Sequence, residues 1–286
     1  MGVFVCVITQ CVHGLIGLPS LVHGICLAYS MNEIIPFIER LALESGALIK
    51  RYVESGDLGV EYKEDGSPVT RADKDAEELL RSLIESHYPD HGIIGEEHGS
   101  VREDADYVWI LDPIDGTQSF VHGIPLFGTL IGLLHKGRPI YGCIHQPILE
   151  QLCIGNNEVT TLNGEPIHVG GTQSLAQATM LSTDVFPPRY KRSRWKVSWE
   201  GLSEEVRLMR TWGDCYGYLM VAMGRADIMI DPILSPWDLL PLIPVIRGAG
   251  GVITDIHGKD AEQGSSAVVA NSHLHKEVLK RLVISE

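Results

Sequence analysis

Two carboxylates three residues apart, followed at once by a glycine and a hydroxyl, close the string Trp109-Ile110-Leu111-Asp112-Pro113-Ile114-Asp115-Gly116-Thr117. An apolar run that ends abruptly in acids predicts a short buried strand, Tyr107 to Leu111, that carries Asp112 to a sheet edge, with Pro113 forcing a turn. Asp115 then points toward the same space as Asp112. Paired hard oxygen donors suit Mg²⁺ or Mn²⁺ rather than zinc, which prefers nitrogen and sulfur. Gly116-Thr117 would open a helix whose first backbone N–H groups cradle an anion beside the metals. The competing reading is an ordinary Asp/Pro/Gly turn.

Other acids at element ends weigh against that competing reading. Gly95-Glu96-Glu97 follows the short apolar run Gly92 to Ile94, and Pro236-Trp237-Asp238 begins a long apolar helical segment. Asp73 starts a helix whose apolar face is Ala72, Ala76, Leu79, Leu80 and Leu83. Each has a structural alternative: Thr70-x-x-Asp73 is also a capping box, and Asp238 can simply complement a helix dipole. Glu97 reads as a supporting or solvent acid. His98, His122 and His145 lack ligand spacing and read as surface or hydrogen-bonded structural residues. The basic run Arg189, Lys191, Arg192, Arg194 and Lys196 reads as a solvated loop, with a contact to substrate phosphate across a dimer as the alternative. A G-x-S-x-G elbow and a P-loop are both missing from the sequence, which favours direct attack by water over a covalent route.

The set Gly95-Glu96-Glu97, Asp112-Pro113-Ile114-Asp115-Gly116-Thr117 and Pro236-Trp237-Asp238, with Gly248-Ala249-Gly250-Gly251 downstream, resembles the inositol monophosphatase superfamily from about Asn32 to the C-terminus. The resemblance implies a layered α-β-α-β-α sandwich of the α/β class and a Mg²⁺-dependent, lithium-sensitive phosphomonoesterase. It implies that Glu96, Asp112 and the Ile114 carbonyl hold one metal, and that Asp112, Asp115 and Asp238 hold a second. It also implies that Asp73 and Thr117 position the attacking water near a weaker third, with Glu96 counted among the catalytic groups. Gly116 and Thr117 would receive the phosphate. A homodimer and a cytoplasmic location are expected. Gln118-Ser119 in place of Thr-Asn, and Pro241 and Arg247 in the last long helix, depart from the family pattern.

The string Trp212-Gly213-Asp214-Cys215-Tyr216-Gly217-Tyr218, with Gly224-Arg225-Ala226-Asp227 and Asp231 after it, is similar to the histidinol-phosphate phosphatases of that superfamily. Gly213, Asp214 and Asp231 are therefore expected at the substrate. A carboxylate where the leaving group sits favours a cationic substrate through charge-assisted hydrogen bonds, although Asp214 after a glycine could equally be a helix N-cap. Histidinol phosphate is the preferred substrate. Inositol phosphate or another small ester such as a nucleotide bisphosphate, and a catalytically silent binding or regulatory member, are the alternatives.

These residues must be positioned by a chain of 286 residues, 44% of them hydrophobic, long enough for a substantial core. The formal net charge of −14 argues against nucleic acid or an anionic membrane as partner; a phosphate ester is allowed because bound cations dominate a local field. The six cysteines form no C-x-x-C and read as small buried hydrophobes in a reducing compartment. Residues 1 to 30 carry no Lys, Arg, Asp or Glu, yet glycines and Pro19 divide them, and they suit neither a membrane span nor a secretory signal. They read as a dispensable extension, with a membrane tether as the minor alternative. An amphipathic helix follows, capped by Asn32, with Ile34, Ile38, Leu41, Ala42, Ser45 and Leu48 on one face. Helices near 33–53 and 71–87, hairpins at Lys136-Gly137 and Asn163-Gly164, a helix at Tyr216 to Met223, a strand at Asp227 to Ile230, and helices at Trp237 to Ala249 and from His273 complete the pattern. Two packed halves are expected, about 31–165 for metal and 166–286 for substrate.

Overall fold

The computed structural model describes residues 19–184, 196–198 and 200–285, with side chains over 33–184 and 201–282. The chain divides into two compact units, Met1–Ile38 and Glu39–Glu286. The first helix, α1 (Pro19–Ser55), starts thirteen residues before the expected Asn32 cap. Proline is well tolerated at a first helical position, and no further proline follows until Pro36. Asn32 therefore lies inside the helix. Pro36, lacking an N–H, cannot complete the bond to the Asn32 carbonyl, so the break in the ladder falls where the sequence suggested a beginning. Further along α1, Leu41, Ala42 and Ser45 are buried, the Ser45 hydroxyl donating to the Leu41 carbonyl at 2.8 Å.

A short hairpin, β1 (Glu61–Tyr62) and β2 (Pro68–Val69), leads into α2 (Arg71–His87), whose bounds match those expected from its periodicity. An eight-stranded sheet follows: β3 (Gly92–Gly95), β4 (Gly99–Val101), β5 (Tyr107–Asp115), β6 (Gly128–His135), β7 (Arg138–Gln146), β8 (Gln151–Gly155), β9 (Thr160–Leu162) and β10 (Glu165–Pro166). The short helix α3 (Thr117–Val121) separates β5 from β6. The strands lie in the order β10-β9-β8-β7-β6-β5-β3-β4, antiparallel throughout except for β3 beside β5. Lys136 and Gly137 have φ of 51° and 78°, and Asn163 and Gly164 of 51° and 85°, as two-residue hairpin turns require.

The second half builds a five-stranded sheet in the order β13-β11-β14-β16-β15. Its strands are β11 (Thr179–Leu181), β13 (Leu208–Arg210), β14 (Ile228–Asp231), β15 (Val252–Thr254) and β16 (Ala267–Ala270). A separate pair joins β12 (Lys196–Ser198) to β17 (Val283–Ser285). The helices are α4 (Glu200–Glu205), α5 (Asp214–Ala222), α6 (Pro236–Leu239), α7 (Leu242–Gly248) and α8 (Ser272–Arg281). The single helix expected over Trp237 to Ala249 is two, because Pro241 interrupts the ladder between α6 and α7.

Helices α5 and α7 fill the space between the sheets. Leu219, Val221, Ile243 and Val245 bury against Leu130, Ile144 and Cys153 of the first sheet and Leu181, Met229 and Val269 of the second. On the outer face of the second sheet, Met180, Ile228 and Val268 pack against Leu202 of α4 and Leu274 and Val278 of α8. On the other flank, Ile49 of α1 and Ala72 and Ala76 of α2 enclose Ile114, Phe120 and Phe127. The result is the layered α-β-α-β-α sandwich. Cys143, Cys153 and Cys215 are buried free thiols, as their apolar context implied, and burial pushes Cys153 up to about 12. Cys6, Cys11 and Cys26 and the basic run Arg189 to Lys196 lie outside the residues whose side chains are described. Among the described residues no helix is long and apolar enough to cross a membrane.

Candidate active site

Strand β5 does not stop at Leu111. It continues through Pro113 to Asp115, and the expected turn is a bulge: Asp112 pairs with Leu130 and Asp115 with Gly128, so Pro113 and Ile114 together oppose Thr129. Proline suits such a place, since an irregular ladder does not require its missing N–H. The Thr129 hydroxyl fixes the bulge by donating to the Pro113 carbonyl at 2.8 Å. Bulging brings both aspartates to one side, the outcome anticipated from their spacing.

Asp238 joins them from the first turn of α6. Asp112, Asp115 and Asp238 each offer a carboxylate oxygen within 4.8 Å of the others. Asp238 also caps its helix, Oδ2 accepting the Ser235 N–H at 2.8 Å, so the two readings of this residue coexist. Burial and the neighbouring acids Glu96, Asp115, Asp238 and Asp73 push Asp112 well above the usual carboxylate range. Burial likewise raises Asp115, reinforced by Asp214 and Asp238. Three clustered carboxylates, one buried and two half-buried, repel one another unless a cation balances them. The donor set, all hard oxygen, fits a divalent ion of the Mg²⁺ or Mn²⁺ type.

Glu96 sits at the end of β3 and lines the same cavity, yet it stands outside that triad. Its Oε1 accepts from Lys63 Nζ at 2.7 Å, while the same ammonium reaches Glu97 Oε1 at 2.8 Å. Glu97, expected to be supporting or solvent-facing, has a side chain only 6% exposed and serves as a support. Behind this loop lies Glu77, which sequence reasoning missed. Its fully buried carboxylate accepts the backbone N–H groups of Glu97 at 2.7 Å and His98 at 3.1 Å and pairs with Arg81 at 2.7 Å. The available signal was a glutamate on the apolar face of α2, where an acid must find partners.

Gly116 adopts φ 90° and turns the chain into α3. The Thr117 hydroxyl lines the cavity and lies 3.1 Å from the Ile114 carbonyl and 3.5 Å from Asp73 Oδ1. Asp73 is buried behind it and forms the anticipated capping box, Oδ2 accepting the Thr70 N–H at 2.8 Å. Burial lifts Asp73 to about 7, against the lowering effect of the Thr70 bonds.

The cavity, about 560 Å³, runs from this acidic floor to the start of α5, where Thr183, Asp184, Thr211, Gly213 and Asp214 line it. Asp214 is not the N-cap that its place after a glycine allowed. Gly213 occupies that position without a side-chain bond, and Asp214, at φ 50°, is the first helical residue. Its carboxylate reaches the Gly116 turn, since a Cβ on Gly116 would stand 3.1 Å from Asp214 Oδ2. Asp231, expected at the substrate, is 2% exposed and absent from the cavity wall. Strand β14 carries it one residue past the predicted strand end, into the layer beneath Thr183. His98, His122 and His145 hold no metal position: His98 and His122 bond to backbone carbonyls and His145 packs on Gly46.

A model of the inositol monophosphatase family matches residues 30–286. The chain belongs to that family. The bifunctional phosphatase IMPL2, chloroplastic, of Arabidopsis thaliana is 43% identical over 255 residues, covering 85% of this chain and 72% of that protein. A histidinol-phosphatase of Chlorobaculum parvum is 37% identical over 245 residues, covering 84% and 92%. Among solved structures, the extragenic suppressor protein suhB of Bartonella henselae superposes with a TM-score of 0.80 at 26% identity, over 87% of this chain and 97% of that one. Family membership makes the chain a phosphatase and gives the acidic cluster its role as a candidate metal site.

Proposed function

We propose that this family member is a Mg²⁺-dependent histidinol-phosphate phosphatase, releasing L-histidinol and phosphate. The observation that carries the reading is Asp214, a carboxylate set at the cavity wall in a conformation that keeps it from capping its own helix. Among the described residues the cavity wall contains seven acids, including Asp65, Asp184 and Asp214 beyond the cluster and Glu96, and no Lys or Arg. A leaving group with an ammonium and a titratable imidazole complements that wall; a neutral polyol does not need it. The name of the Chlorobaculum relative supports the same substrate.

A divalent cation held by Asp112, Asp115 and Asp238, with Glu96 at the margin, would polarise the phosphoryl group and acidify the attacking water. The remaining work falls to the chain. Thr117 orients the water through its hydroxyl, and Asp73 fixes that hydroxyl from behind, its pKa near 7 suiting it to accept a proton relayed through Thr117. Lys63 balances Glu96 and Glu97 so that the loop stays closed on the cavity floor. Asp214 binds the cationic end of the substrate and aligns the scissile ester.

The test is a panel of L-histidinol phosphate, inositol 1-phosphate, fructose 1,6-bisphosphate and adenosine 3′,5′-bisphosphate with Mg²⁺. The highest kcat/KM is expected on histidinol phosphate; a preference for inositol 1-phosphate would refute the substrate assignment.

A further inference from the structure

Asp231 closes β14 beneath the cavity rather than on its wall. Its Oδ1 accepts the Thr183 backbone N–H at 3.0 Å, and its Oδ2 accepts the hydroxyls of Thr183 at 3.1 Å and Tyr218 at 3.0 Å. Thr183 is itself a wall residue, and its Oγ1 accepts the backbone N–H of Asp214 at 2.9 Å. A threonine hydroxyl has one proton and two lone pairs. The Asp231 carboxyl accepts from this hydroxyl, so it draws that proton and leaves the lone pairs facing the Asp214 amide. Direction is thus imposed on the hydroxyl from below. Gly213 packs so closely that a Cβ there would lie 2.1 Å from Thr183 Cα, so no side chain fits at that position.

The amide held in this way belongs to a strained residue. At φ 50°, Asp214 occupies the left-handed region that residues with a Cβ avoid, and it persists only where its surroundings over-determine it. In that conformation its carboxylate reaches the Gly116 turn, and the next amide, that of Cys215, is given to Asp115.

We propose that Thr183, oriented by Asp231 and Tyr218, is the positioning residue that holds Asp214 in its left-handed conformation and thereby sets the selectivity of the cavity for a cationic leaving group. This rests on the reading of Asp214 given above and assigns Asp231 to support rather than to substrate contact. Thr183 acts through Asp214, so its loss penalises a cationic ester selectively.

The experiment compares the full-length enzyme with Thr183→Val and Thr183→Ser on L-histidinol phosphate and inositol 1-phosphate, alongside thermal melts and a crystal structure of each variant. Thr183→Val is expected to lower kcat/KM on histidinol phosphate about ten-fold more than on inositol 1-phosphate, whereas Thr183→Ser, which keeps the hydroxyl, holds the ratio within about two-fold. Equal losses on both esters, or a serine variant indistinguishable from valine, would overturn the proposal. Should valine fail to fold, Thr183→Ala carries the same expectation. The wild-type preference between the esters reports separately on the substrate reading. If that preference is absent, the crystal structures still decide the positioning claim: Asp214 leaving positive φ in Thr183→Val supports it, and Asp214 unmoved contradicts it.

Discussion

The backbone N–H of Cys215 donates to Asp115 Oδ2 at 2.5 Å. One bond thus ties the first turn of α5, which presents Asp214 to the cavity, to a carboxylate of the acidic cluster in β5. The two ends of the cavity, one for cation and phosphate and one for the leaving group, are held in register by neighbouring residues of a single turn. The amide also lowers the Asp115 pKa, partly offsetting its burial.

Asp115→Asn is expected to abolish hydrolysis while leaving the fold intact, since the amide oxygen can still accept from Cys215 but the cluster loses one of its charges. Phosphate release and circular dichroism on the purified variant check this. A folded Asp115→Asn protein with wild-type turnover would remove Asp115 from the site.

Glu77 touches neither cavity nor cluster, and its contribution should appear in cation affinity. Glu77→Gln keeps the shape but weakens the bonds to the Glu97 and His98 amides, and the Mg²⁺ concentration for half-maximal activity should rise about ten-fold or more, the scale seen when a ligand's support is lost. Calorimetric Mg²⁺ titration provides the independent reading. The melting temperature should also fall, because Arg81 loses its charged partner.

Burial lowers His145 to about 4, so the folded protein keeps the ring neutral while the unfolded chain protonates it below about 6.5. Its contribution to stability is complete above pH 6.5 and is lost as the pH falls toward 4, on the order of 3 kcal/mol over that window. Asp73 works in the opposite direction, since its raised pKa makes the folded state bind a proton first as the pH drops. The His145 contribution is therefore read as a difference: the stability gap between wild type and His145→Gln should narrow from pH 8 to pH 5. A constant gap would show that the ring takes up its proton as readily in the fold as in the unfolded chain.

The positions of the chemistry were legible in the sequence because they rest on local rules. Asp112 and Asp115 follow an apolar run, Thr70 and Asp73 obey capping geometry, and the Lys136-Gly137 turn needs only residues that accept positive φ. What escaped depends on contacts distant in sequence. Nothing near Asp231 says that Thr183, 48 residues earlier, will occupy both its oxygens. The left-handed Asp214 is likewise imposed by Thr183 and Gly213 rather than by any preference of the string Gly-Asp-Cys. Local periodicity also failed at Asn32, where a good cap residue lies inside a helix that already runs from Pro19.

Residues 1 to 29 precede the stretch matched by the family, and a chain beginning at Met31 is expected to fold and to hydrolyse phosphate esters as the full chain does. Melting curves and turnover of the two proteins side by side provide the check. Loss of folding in the shortened chain would assign the N-terminal residues a structural role.

The most direct measurement is the effect of Asp214→Asn on two esters. Pairing with a cationic leaving group predicts a loss of about 1.5–3 kcal/mol of transition-state binding on L-histidinol phosphate, roughly ten- to a hundred-fold in kcat/KM. Inositol 1-phosphate, which offers no cation to Asp214, should lose much less, because the acidic cluster and Thr117 act on the phosphate end. Proportional losses on both esters would contradict the account, leaving Asp214 a structural residue and histidinol phosphate without its recognition group.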